Sequence, residues 1–131
     1  MEPNDFINTL YLGDRGCKKI TIDGWNEIVK IQVTTISRVR GEDWNYYKDE
    51  DIEDGYIVFS SVEAIHFEPS NYIPNDTINY LSVEKVEDRD TFIFTFSAYS
   101  ANKEGECVEV ITTITAKQIY LEDSLQREKL T

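Results

Sequence analysis

The stretch that decides the fold is residues 91–98, which read TFIFTFSA. Phenylalanine stands at every second position, as Phe92, Phe94 and Phe96, and small polar residues occupy most of the positions between. Successive side chains of a β-strand point to opposite faces of its sheet. The alternation therefore predicts a strand with one buried face, and we expect the three phenylalanines in the core.

The same alternation recurs on both sides of this strand. It is found near residues 20–22, 29–40, 56–67, 81–86 and 108–120, with turn residues at 23–26, 87–90 and 102–105. No segment of helix length separates these runs, and parallel strands need such crossovers. We predict a mostly β fold, a single antiparallel twisted sheet or flattened barrel of about six strands, with one short amino-terminal helix.

The run at residues 29–40 is one of the long predicted strands. Val29, Ile31 and Val33 alternate toward one face, and a second core face is expected at Val108 and Val110. The opposite, water-exposed face of the run is predicted to hold Lys30, Gln32, Arg38 and Arg40. An antiparallel sheet with one solvated face shows this pattern.

The length of the chain is that of one domain, spanning residues 1–131. The helix is predicted over residues 1–13. Pro3 suits its first turn, and Gly13 is expected to end it in the left-handed conformation. Residues 14–121 are expected to form the sheet. Residues 122–131 are expected to be a polar tail.

The charge of the chain limits its partners. It has 25 acidic and 13 basic residues, a formal net charge of −12. Such a field repels phosphate, so we expect a basic protein partner and no nucleic acid. No apolar stretch reaches the length of a membrane span and no signal peptide is evident, which predicts a cytoplasmic protein with no membrane association and with Cys17 and Cys107 as free thiols.

The most unusual segment is residues 42–54, EDWNYYKDEDIED, with seven acidic and three aromatic residues. Packing its aromatics would draw carboxylates out of water, whereas a basic partner could contact both. We predict that the partner-binding residues are Trp44, Tyr46, Tyr47, Asp49, Glu50, Asp51, Glu53 and Asp54. A solvated connection, with Trp44 packed on the sheet edge, is the alternative. Trp25 is expected to pack over the end of a hairpin.

No catalytic or metal site is expected. His66 is the only histidine, and a nucleophilic pair with Cys17 has no glycine-flanked turn to support it. The acidic run 49–55 has Asp54 where a calcium loop needs glycine. We predict a non-enzymatic protein without cofactors. A small hydrolase or ligand-binding module that uses a carboxylate pair remains the alternative.

Several motifs resemble a small bacterial family of uncharacterised domains. They are FINTLYLGDRGCKK at residues 6–19, IDGWN at 22–26, ISR at 36–38, WNYY at 44–47, DIEDG at 51–55 and the segment 69–76. Proteins of this kind resemble the immunity proteins of bacterial polymorphic toxin systems. The resemblance implies a protein that neutralises a cognate toxin by direct contact, and it brings no catalytic motif.

Overall fold

The structure is a computed structural model that describes residues 2–38 and 51–129. These residues form one helix and twelve strands. The elements are α1 (Pro3–Asn8), β1 (Leu10–Tyr11), β2 (Cys17–Asp23), β3 (Ile28–Val33), β4 (Thr35–Arg38), β5 (Asp51–Glu53), β6 (Tyr56–Ser60), β7 (Ala64–Glu68), β8 (Ile78–Lys85), β9 (Phe92–Ala101), β10 (Cys107–Ala116), β11 (Gln118–Glu122) and β12 (Glu128–Lys129).

The strands form three antiparallel sheets. One has five strands in the order β12-β11-β6-β3-β2, one has four in the order β7-β10-β9-β8, and one has three in the order β1-β4-β5. The prediction of a mostly β, antiparallel fold is confirmed, but the single sheet or flattened barrel of about six strands is wrong. Periodicity shows which side of a strand is buried, and it carries no information on which strands share a sheet.

The two larger sheets pack on each other through one core. Its members include Val29, Ile31 and Val33 on β3 and Phe94 on β9, all fully buried or nearly so. Phe94 meets Phe59 of the five-stranded sheet edge to face, with ring centroids 5.0 Å apart. The predicted core faces on β3 and β9 are confirmed, because burial of an alternating face is what the apolar pattern reports.

The predicted long strand at residues 29–40 is broken at Thr34. The Thr34 amide donates to the carbonyl of Gly16, and its carbonyl accepts from the amide of Asp54, 3.0 Å in each case. The chain thereby leaves the five-stranded sheet and enters the three-stranded one. Ile36, Ser37 and Arg38 are buried there, so the predicted solvated face shared by Lys30, Gln32 and Arg38 does not exist. Arg40 lies outside the described residues.

Gly55 joins β5 to β6 at this sheet change. A Cβ atom at Gly55 would lie 2.6 Å from Ile52 Cγ2 and 3.2 Å from Ile36 Cδ1. The first of these distances is shorter than carbon atoms tolerate, so only glycine lets the two sheets approach this closely.

The amino-terminal helix is shorter than predicted. It ends at Asn8, and β1 follows at once and pairs with β4. The Thr9 hydroxyl donates to the carbonyl of Phe6 at 2.7 Å, which satisfies one carbonyl of the last turn. Asp14, with φ 57°, takes the left-handed conformation that was expected at Gly13. Pairing with β4 overrides the helical spacing of Leu10 and Tyr11.

The predicted polar tail is instead part of the sheet. Glu122 and Asp123 are buried, and β12 pairs with β11. Lys30 Nζ contacts Glu122 Oε1 at 2.7 Å and Gln126 Oε1 at 3.0 Å. The prediction failed because polar contacts, which leave no apolar period in the sequence, hold this hairpin in place.

Candidate functional site

The described part of the acidic segment, residues 51–54, lies on β5 and in the turn after it. Ser37 pairs with Asp51 and Thr35 with Glu53, so the strands that flank residues 39–50 lie side by side. Asp51 and Glu53 are on β5, and Asp54 is in the turn after it. The other predicted partner-binding residues, Trp44, Tyr46, Tyr47, Asp49 and Glu50, lie outside the described residues.

Asp51 is linked to a guanidinium through a buried hydroxyl. Ser37 Oγ donates to Asp51 Oδ1 at 2.7 Å and accepts from Arg15 Nη2 at 3.0 Å. Ser37 itself is fully buried. A hydrogen bond that ends on an ionised group is stronger than one between neutral groups, so this chain of contacts fixes the start of β5 against β4.

The other two acids of the hairpin base also have internal partners. The Thr35 hydroxyl donates to Glu53 Oε2 at 3.3 Å, and Lys18 Nζ lies 2.8 Å from Asp54 Oδ1. The Lys18–Asp54 pair is nearly half-exposed, so it contributes little stability. These contacts position the base of the hairpin, and the carboxylates keep their exposed sides toward solvent.

Arg38 anchors the hairpin to the helix. Only 3% of the residue is exposed, and its Nε donates to Thr9 Oγ1 at 3.0 Å. Its guanidinium carbon lies 5.1 Å from the centroid of the Phe6 ring, which is within the range of a cation–π contact. The sequence pattern predicted Arg38 on a water-exposed face. In the structure it is buried, and its polar contacts attach β4 to the helix.

Trp25 is exposed, contrary to prediction. It lies in the turn between β2 and β3, and 95% of it is accessible to solvent. Ile22, near the end of β2, is 53% exposed. The signal that could have identified Trp25 is its place directly after Asp23 and Gly24, since a tight turn leaves its tip residue few neighbours.

The conceivable Cys17–His66 pair is not assembled. Cys17 is buried on β2, whereas His66 lies exposed on β7 of a different sheet, 3.7 Å from Glu68. Burial raises the pKa of the Cys17 thiol to about 12, which suppresses the reactive thiolate. Cys107 is exposed, and both cysteines are free thiols.

Among the carboxyl groups that the structure describes, two have a pKa clearly shifted from the usual value, and both are lowered. Hydrogen bonds from Asn26 lower the pKa of Asp23, and those from Arg127 lower the pKa of Asp123. A carboxyl group that acts as a general acid at neutral pH needs a raised pKa. These two groups lie at opposite ends of the five-stranded sheet, and neither suits that role.

The described part of the chain contains neither a metal-binding cluster nor a helix that could span a membrane. No group of three His, Cys, Asp or Glu side chains within residues 2–38 and 51–129 is placed to hold a metal ion. Over the same ranges, no helix combines the length and apolar character that crossing a bilayer requires.

Comparison with known proteins gives one match. The model of a family of unknown function, DUF6258, matches residues 1–130. No curated protein and no solved structure matches the chain.

Proposed function

We propose that this chain, which belongs to the DUF6258 family, is a non-enzymatic binding protein of the immunity type that neutralises a basic bacterial toxin by direct contact. The contact surface in this proposal is the acidic, aromatic segment at residues 42–54. The motif resemblance motivates the class of protein, and the charge and the hairpin geometry motivate the surface.

The observation that carries the proposal is the β4–β5 register. It pairs the strands that flank residues 39–50 and forms a base that is tied to the core through Ser37 and Arg38. A binding segment whose ends are fixed loses less conformational entropy when it binds than one with free ends. The base therefore favours a segment used for recognition.

Charge and side-chain chemistry support the same surface. A net charge of −12 accelerates encounter with a basic protein, and the effect falls as salt rises. Trp44, Tyr46 and Tyr47 are residue types that dominate the energy at the centre of interfaces. The acids then steer the partner while one or more aromatics anchor it.

The test first searches the reading frames beside the gene for this protein for a basic toxin domain, which is then purified in an inactive form. Asp49, Glu50, Asp51 and Glu53 are changed together to the corresponding amides. We expect slower association, a weaker salt dependence of the rate and reduced protection of toxin-expressing cells. In a separate variant, Trp44→Ala, loss of a true anchor costs at least about 2 kcal/mol of binding.

A matched control removes the same charge elsewhere. Glu84, Glu87, Asp90 and Glu104 are all exposed, and their four amides change the net charge equally. We expect this control to keep most of the affinity. If the loop variant binds like the wild type at both low and high salt, the segment is only a solvated connection and the proposed surface is wrong.

A further inference from the structure

A notch opens at the turn end of β2 and β3, the end of the five-stranded sheet opposite the acidic hairpin. Its volume is about 280 Å³. The apolar part of its lining is Ile22, Ile28, Val29, Val62, Ala64 and Ile65. The volume lies at or below the roughly 300–1,000 Å³ of most small-molecule pockets, so the notch suits one long side chain better than a free metabolite.

The rim of the notch is held in place. Asp23 accepts hydrogen bonds from the amide and the side chain of Asn26, at 3.1 and 2.9 Å. The Val62 amide donates to the carbonyl of Glu27 at 2.9 Å, which ties the turn to the chain between β6 and β7. Trp25 is thus exposed on a turn whose backbone is already fixed. A partner that contacts Trp25 therefore loses little binding energy to ordering of the turn.

Three carboxylates share the lining with the apolar side chains: Asp23, Glu27 and Glu63. Glu63 already receives a guanidinium, since Arg89 Nη2 lies 2.6 and 2.7 Å from its two oxygens. Hydrogen bonds from Asn26 lower the pKa of Asp23, so Asp23 stays ionised at neutral pH. Asp23 and Glu27 therefore give this mostly apolar notch a negative charge, whereas the charge of Glu63 is offset by Arg89.

An apolar lining that also carries carboxylates favours a side chain that is both apolar and positively charged. Arginine and lysine have an apolar stem and a charged head, which match the apolar and the acidic residues of the lining. A second copy of this chain would bring a net charge of −12 and the same acidic rim against itself, which disfavours self-association.

We propose that this notch, with Ile22 in its lining and Trp25 on the turn that carries the lining residues Gly24 and Glu27, docks an arginine or lysine side chain of a partner protein, presented beside an apolar residue. The proposal goes beyond toxin neutralisation through the β4–β5 hairpin. It does not depend on it, because the two surfaces lie at opposite ends of the sheet.

The probe is a random library of short peptides displayed on phage, selected on the full chain. We expect the enriched peptides to pair an arginine or lysine with an apolar residue. Synthetic copies should bind at least about tenfold more weakly to the double variant Ile22→Ser, Trp25→Ala. With Asp23→Asn and Glu27→Gln they should bind more weakly and with less dependence on salt.

The control variant is Leu125→Ser, which removes an apolar residue of 70% exposure at the other end of the sheet. It should bind the peptides like the wild type. Thermal unfolding shows whether each variant is folded, and the altered rim residues are exposed enough for us to expect no large change.

Three results would overturn the proposal. One is enrichment of peptides that lack a basic residue, or no enrichment above background. Another is equal binding to the wild type and to the folded Ile22→Ser, Trp25→Ala variant. The third is a concentration-dependent dimer that this double variant abolishes, because the occupant would then be a second copy.

Discussion

The two ends of the five-stranded sheet differ in which side chains they bury and which they expose. At the β4–β5 end, a charged residue, Arg38, is buried with hydrogen-bonding and aromatic partners. At the β2–β3 turn, Trp25 and Ile22 are exposed, and the turn lines a notch. A satisfied buried polar group fixes local structure, whereas a cluster of exposed apolar residues on an ordered turn marks a surface for contact.

The two ends also differ in how closely the sheets are joined. Near the β4–β5 end, the Cys17 amide donates to the carbonyl of Asp76 at 2.9 Å and the Ile78 amide to that of Arg15 at 2.8 Å. These bonds join the start of β2 to the start of β8. At the other end, the notch separates β2 and β3 from β7. We therefore expect the β4–β5 end to contribute more to stability than the notch end does.

The largest expected loss of stability comes from a core residue that lies between the two ends of the sheet. Phe94→Ala removes a fully buried ring that joins the sheets, and we expect it to lower the free energy of unfolding by about 3–5 kcal/mol. Urea unfolding, followed by circular dichroism and by fluorescence, measures this. Both probes should show one shared transition. Two separate transitions would mean that the ends unfold independently, and the comparison between them would lose its basis.

A smaller loss is expected at the anchored end. Arg38→Met removes the hydrogen bond to Thr9 and the contact of the guanidinium with Phe6, and it should cost about 1–3 kcal/mol. The control is Arg89→Met, which breaks the exposed pair with Glu63 and should cost less than about 1 kcal/mol. Equal losses in urea unfolding would show that Arg38 is no anchor.

At the open end, stability should hardly change. Trp25→Ala removes a side chain with almost no neighbours, so we expect a change within about 0.5 kcal/mol. Chemical unfolding followed by circular dichroism avoids any loss of fluorescence signal. A loss above about 1 kcal/mol would contradict the exposed placement, because surface positions without partners have small effects.

The smallest effect concerns pH. Hydrogen bonds from Asn26 lower the pKa of Asp23 below its usual 3.8. The ionised group therefore contributes stability above that pH, and the contribution is lost as pH falls through the lower pKa of the folded state. We expect the difference in melting temperature between wild type and Asp23→Asn to shrink in acid. A constant difference from about pH 6 down to about pH 2 would mean that its charge has no role.

Which residues are buried was largely predictable, because burial follows a local period. Phe94 and Ile31 face the core as the alternation indicates. The alternation ends at Val33 and Ile36 falls out of phase with it, but this pattern does not show that the chain changes sheet at Thr34. Contacts of Thr34 with Gly16 and Asp54, which are distant in sequence, determine the change of sheet. Hydrophobic period alone therefore could not give the three-sheet arrangement.

The candidate site was predictable in composition but not in contacts. Acidic residues between predicted strands indicate an exposed connection, and Asp51 and Glu53 are indeed exposed. Their partners are small or basic side chains elsewhere, such as Ser37 for Asp51, and no local pattern announces them. Trp25 was misjudged because a pattern cannot show whether any apolar surface lies within its reach.

The central position of β6 has a consequence for synthesis on the ribosome. This strand is buried on both faces and pairs with β3 on one side and β11 on the other. β11 begins only at Gln118, so β6 leaves the ribosome long before its second partner does. Until then, the nascent chain presents an apolar strand edge, the kind of surface from which chains aggregate. Emergence of β11 from the ribosome is therefore a step toward solubility as well as toward the native sheet.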